Sequence, residues 1–192
     1  MCTRPIIMVS SSVYQNAPLL DQIYAALDGY GYEVWMSHKG TLPHNSTLSN
    51  LENCLKAVDD CDGFLEIISP FYGSGRMPDG KTITHHELLK AVAIDKLRWI
   101  LTDYRVPFAR QILKQYRFDE AETPIATFAF EGTAVLDDVG VIEMYEDATG
   151  RGPATTRRWV HEYRTDNEAL FYISQQLHDP SRVVSFGGGG TP

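Results

Sequence analysis

Cysteine is scarce, with three residues in a chain of 192. None belongs to a Cys-x-x-Cys pair, so the usual spacing of a structural zinc site is missing. An odd, sparse count fits a reduced cytosolic protein better than a disulfide framework. Positive charge is also short. There are 17 Lys and Arg against 25 Asp and Glu, a net charge of −8, which argues against an extended nucleic-acid surface. No apolar run approaches the roughly 20 residues that span a bilayer. Met1-Cys2-Thr3-Arg4 leads straight into a strand-like run without the pattern of a signal peptide. There is no GxxxxGK(S/T) phosphate loop, no GxSxG nucleophile elbow and no HExxH pair. P-loop hydrolysis, an α/β-hydrolase triad and zincin chemistry are therefore not expected. The expectation is a cytoplasmic globular protein with no membrane partner and no metal.

What is present centres on Asp62 to Lys96. Gly63-Phe64-Leu65-Glu66-Ile67-Ile68 is a short apolar run, as in a buried strand. Phe71-Tyr72-Gly73-Ser74-Gly75 follows as a Gly-rich loop, and Thr82-Ile83-Thr84-His85-His86-Glu87-Leu88-Leu89 opens a helix. Thr84 and Glu87 have capping-box spacing, in which Glu87 would accept the Thr84 backbone N–H. In an α/β domain this loop stands at the carboxyl end of a strand, where ligands bind. Glu87 therefore has two readings, a helix cap or a catalytic carboxylate, and spacing leaves both open.

Around this stretch, strands and helices alternate. Pro5–Val9, Tyr32–Met36, Gly63–Ile68 and Leu97–Thr102 read as strands, and Pro18–Tyr30, Leu51–Asp60 and a segment ending at Asp95 read as helices. This alternation predicts a parallel sheet of about five strands between two helical layers. With right-handed crossovers, the flavodoxin-like order 2-1-3-4-5 follows. Its switch point brings the Ser10-Ser11-Ser12 turn, the Tyr72-Gly73 loop and the start of the Glu87 helix to one crevice. Farther on, helices are expected at 106–116, 135–148 and 167–177, a strand at 159–163, and a possible strand at 124–130. Residues 1–180 read as one domain, and 181–192, rich in Gly, as a disordered tail.

Val9-Ser10-Ser11, Tyr72-Gly73 and Thr84-His85-His86-Glu87 together resemble the bacterial TIR-like domain often fused to large NTPases. The likeness covers about the first 115 residues well and the rest more loosely. The resemblance implies a TIR-like fold, related to nucleoside deoxyribosyltransferases, and a Glu at position 87 that cleaves an N-glycosidic bond. It further implies NAD as substrate rather than cofactor, glycohydrolase or ADP-ribosyl cyclase activity in antiphage signalling, a possible homo-oligomer, and a separate effector reached through a diffusible product. Nucleoside or nucleotide N-glycosidase, deoxyribosyltransferase and a non-catalytic nucleotide-binding module remain the alternatives. One departure is Val13-Tyr14-Gln15-Asn16-Ala17-Pro18-Leu19-Leu20-Asp21, where such domains carry a charged Asp-Leu-x-x-Glu-Arg segment.

Candidate substrate contacts are Ser10, Ser11, Ser12, Tyr72, Gly73, Thr84 and His86. The serines are equally readable as an ordinary polar turn, and Tyr72 either stacks on a base or packs its loop. His85 and His86, adjacent on a helix, diverge by about 100° and cannot both face one metal; one of them either contacts substrate or has a surface or capping role. Asp103 either lines the crevice rim or caps the next segment.

Overall fold

The computed structural model describes residues 4–73, 75–150 and 157–187. Five parallel strands form one sheet in the order β2-β1-β3-β4-β5. They are β1 (Ile6–Ser11), β2 (Glu33–Trp35), β3 (Gly63–Ile68), β4 (Arg98–Asp103) and β5 (Arg158–Tyr163). The order is the expected one. β3 is buried at every position, which is why it reads as a continuous apolar run rather than an alternating one.

The period of two along the strands divides the core into two layers. Ile7, Val9, Leu65, Ile67, Trp99 and Leu101 face α1 (Ala17–Tyr30), α6 (Asp166–Leu177) and α7 (Ser181–Gly187). Met8, Phe64, Ile68 and Ile100 face α2 (Asn50–Asp60), α3 (Ile83–Ala93), α4 (Arg105–Arg117) and α5 (Gly140–Thr149). Ser10 and Glu66 fall in register on this second face, which also carries the buried polar residues Arg98 and Thr102 of β4.

Several expectations need correction. The possible strand at 124–130 is absent; Pro124 makes only an isolated bridge to Phe118. The helix expected from Val135 starts at Gly140. The residues before it are held as a loop, with Leu136 buried and the Gly140 N–H donated to the Asp138 carboxylate at 2.7 Å. A disordered tail from residue 181 is also overturned over 181–187, where α7 forms and Val183 is buried in the core. Residues 188–192 and most of the expected Gly/Pro loop at 149–156 lie outside the described residues. Asp103 acts as a cap, accepting from the Arg105 backbone N–H at 2.9 Å and from the Arg105 guanidinium at 2.9 and 2.8 Å. No helix among the described residues is long and apolar enough to cross a membrane.

Candidate active site

A cavity of about 620 Å³ opens at the carboxyl ends of β1 and β3, the switch point of this strand order. It is lined by the β1–α1 turn (Ser11 to Tyr14), by Leu42 and His44 from the loop after β2, and by Asn53 and Cys54 of α2. Tyr72, Gly73, Thr82 to Thr84, Glu87 and Asp137 also line it.

Glu87 is not a cap. The N-cap of α3 is Thr82, whose side chain accepts the His85 N–H at 3.3 Å. Thr82 wins over Thr84 because an antiparallel bridge to Arg76 keeps Thr82 extended, which is the backbone an N-cap requires. Thr84 is thereby placed inside the first turn and lines the cavity. Glu87 lies beyond the first turn, 6% exposed, and accepts the Ser10 hydroxyl at 2.5 Å. Burial pushes its carboxyl above the usual value, while hydrogen bonds from Ser10 and from the Cys54 thiol pull it back. The Cys54 thiol is in turn pushed up to about 12, by burial and then by the Glu87 charge.

The three serines divide the work. Ser10 sits behind the cavity wall and holds Glu87. The Ser11 hydroxyl donates to Ile67 O at 2.9 Å, tying β1 to β3. The Ser12 hydroxyl donates to Phe71 O at 2.6 Å and lies 3.1 Å from Ser69 Oγ. It thus clamps the two loops that form the crevice. Gly73 lies in the same clamp at φ +88°, its missing Cβ only 3.4 Å from Ser12 Cβ, a conformation and a space that favour glycine.

Tyr72 is a built-in wall, and the geometry matches its packing reading. Its N–H donates to Asp137 at 2.8 Å and its hydroxyl meets His85 Nδ1 at 2.6 Å. His85 Nε2 reaches Asp147 at 2.9 Å, so Nδ1 is left to accept the phenolic proton. Burial lowers the His85 pKa and raises that of Tyr72 to about 12, keeping both neutral. The Arg76 guanidinium lies over the ring at 5.2 Å. His86, proposed as a substrate contact, points instead to Asp79 at 3.2 Å and is not part of the cavity lining.

Sequence reasoning passed over four contributors. Tyr14, 65% exposed at the rim and edge-on to Phe71 at 5.7 Å, offers the open aromatic face that Tyr72 does not. Asn53, buried, holds the 45–49 loop through bonds to Asn45, Leu48 and Ser49. Asp137 comes from a loop remote in sequence. Glu66 lies on β3, fully buried, with neither carboxyl oxygen hydrogen-bonded; a charged letter inside an apolar run was the available signal. Among the described residues no cluster of three His, Cys, Asp or Glu is placed to hold a metal.

No curated protein matches the sequence. Among solved structures the chain is similar to a CMP N-glycosidase, BcmB, from Clostridium botulinum. The identity is 14%, over 90% of this chain and 99% of that one, with a TM-score of 0.48. It is also similar to a 2-desoxiribosyltransferase from Leishmania mexicana, at 16% identity over 76% of this chain and 97% of that one, TM-score 0.38. The profile of a family described as a domain of unknown function, DUF4062, matches residues 6–170, most of the chain and all five strands, and the chain belongs to that family.

Proposed function

We propose that this protein cleaves the N-glycosidic bond of a nucleoside or nucleotide, with Glu87 as the catalytic carboxylate. One observation carries the reading: a buried carboxylate, held by Ser10 at 2.5 Å, forms part of the wall of a 620 Å³ cavity at the sheet's switch point. That volume suits a small ligand. In the reaction the C1′–N bond breaks and its electron pair leaves with the base. Positive charge develops on the ribosyl ring, as in other glycosyl transfers. Glu87 either stabilises that cation or traps it as an ester at C1′. Water then supplies the oxygen at C1′, and its proton balances the departing base. The open face of Tyr14 at the rim is the candidate platform for the base.

A second form of the same chemistry takes NAD. Both carboxyl side chains of the lining, Glu87 and Asp137, favour a leaving base that carries positive charge, as nicotinamide does in NAD. The test is incubation of the purified protein with nucleosides, nucleotides and NAD, followed by chromatography of released base. Free base from one substrate class is expected. Bound ligand without released base across the whole panel would point instead to a nucleotide-binding module.

A further inference from the structure

Glu66 is a second carboxyl at this site that the chemistry above does not use. It is fully buried in the centre of the sheet, and neither of its oxygens is hydrogen-bonded. An ionised carboxylate left in this state would carry a penalty of several kcal/mol. The register places Glu66 directly across from Ser10, and Ser10 gives its own hydrogen to Glu87. A serine oxygen that donates one hydrogen keeps lone pairs free to accept another. β4 presents Ile100 in register with Glu66, with Arg98 and Thr102 on the same face of that strand, and the buried cluster on this side of the sheet includes Leu88 of α3 and Val141 and Met144 of α5. From α2, Cys54 reaches Glu87. Burial is the largest influence on Glu66 and the charge of Glu87 the next, both favouring the protonated acid, while the Ser10 hydroxyl acts the other way.

We infer that Glu66 is a positioning residue: a neutral carboxylic acid behind the cavity wall that presents its proton to Ser10 and so keeps the Ser10 hydrogen directed at an ionised Glu87. The pair then holds one proton, and the carboxyl at the cavity carries the negative charge. A chain of donors of this kind strengthens the last bond. The Ser10 hydroxyl stands between two carboxyls and can give its one hydrogen to only one of them; a protonated Glu66 leaves Glu87 as the acceptor. Glu66 does not reach the cavity lining and is not assigned contact with substrate. The role deepens the N-glycosidase reading and rests on it for its purpose, but the proton arrangement is measurable without turnover.

The experiment is carbon NMR of the protein labelled at the Glu side-chain carboxyl, titrated with pH, for the intact protein and for Glu66→Gln and Glu66→Met. In the intact protein one Glu carbon stays at its protonated position at pH 7, and Glu66→Gln removes that signal. Glu66→Met deletes the donor and moves the Glu87 midpoint upward by about one pH unit, the scale of one lost hydrogen bond. Glu66→Gln, whose amide N–H still donates, moves it by less than half as much. A downward movement in Glu66→Met would mean that Glu66 is charged beside Glu87, and would overturn the inference. So would an unmoved midpoint with altered thermal stability, the mark of a purely structural residue. If Glu66→Met does not fold, the protonated signal at pH 7 and its loss in Glu66→Gln decide alone, and an ionised Glu66 in the intact protein refutes the inference. Failure of every substrate in the panel would remove the N-glycosidase reading and leave this titration standing.

Discussion

The Ser10 hydroxyl and the Glu87 carboxylate meet at 2.5 Å across 77 positions of sequence. That bond joins the end of β1 to the second turn of α3 and fixes the carboxylate where the crevice opens. Its effect on ionisation is to lower a carboxyl that burial raises. Removing it in Ser10→Ala should therefore move the acid limb of kcat/KM upward, by about one pH unit or more, since a hydrogen bond to a charged group contributes about 1.5–3 kcal/mol. The limb of the intact enzyme should itself lie above the ordinary Glu value of 4.5, because burial is the largest influence on Glu87. A pH–rate profile of both proteins checks this; an unchanged limb in Ser10→Ala would contradict it.

Glu66 makes a prediction about stability. Its pKa is raised well above 4.5 by burial and by Glu87. The folded state then binds this proton more tightly than the unfolded state. Stability contributed by the bound proton is full below the unfolded value and is lost as pH rises through the raised folded value. Glu66→Gln keeps the shape and never ionises. Its Tm should exceed that of the intact protein by a margin that widens from pH 5 to pH 9, as measured by thermal melts. A margin constant with pH would refute the assignment.

The Tyr72–His85–Asp147 chain should matter for the shape of the crevice. Tyr72→Phe leaves His85 Nδ1 buried without a donor, at a cost of about 1–3 kcal/mol. His85 has a folded pKa depressed below 6.5 by burial. The stability tied to its neutral form is present above 6.5 and is lost as pH falls through that value toward the lower folded one. His85→Gln should flatten this acid-side loss, and urea melts at pH 7 and pH 5 provide the comparison. An equal loss in both proteins would place the acid sensitivity elsewhere.

Gly140 opens α5 against the Tyr72 ring, and an added Cβ would lie 2.6 Å from Tyr72 Cε1. The ring cannot retreat easily, because its hydroxyl is tied to His85 and Arg76 covers it. Gly140→Ala should destabilise by about 1–3 kcal/mol through overpacking and raise KM more than it lowers kcat, because the wall moves while Glu87 stays. Melts and steady-state kinetics test both parts; a variant with unaltered Tm and KM would show that the wall yields freely.

The strand order was legible because β1, β3 and β4 are short apolar runs separated by amphipathic helices, and parallel pairing with right-handed crossovers leaves few topologies. The convergence of Ser10–Ser12, Tyr72 and Glu87 followed from that order. The capping assignment did not, since Thr82-Ile83-Thr84 offers two hydroxyls and the choice is made by the Arg76–Thr82 bridge, a non-helical contact. Asp137 was hidden for a related reason. Its place is set by the backbone bond from its own N–H to Pro70 O at 3.1 Å and by the N–H of Tyr72, which no local pattern encodes. For His85 and His86, neighbours that point about 100° apart on a helix, the sequence does not say which one faces the crevice; the structure turns His86 outward to Asp79. Tyr14 and Asn53 belong to polar turns, where composition marks a loop but not its direction.

The central claim is that Glu87 performs chemistry. Glu87→Gln retains the size of the side chain and an oxygen for the Ser10 hydroxyl, and Thr82 rather than Glu87 caps α3, so the fold should persist with a nearly unchanged Tm. A neutral amide cannot stabilise a ribosyl cation as a carboxylate does. The decisive measurement is the rate of base release by intact protein and Glu87→Gln on the same nucleoside, nucleotide or NAD substrate. The account predicts a loss on the order of 100- to 1,000-fold or more in the folded variant; turnover within a few-fold of the intact protein would contradict it.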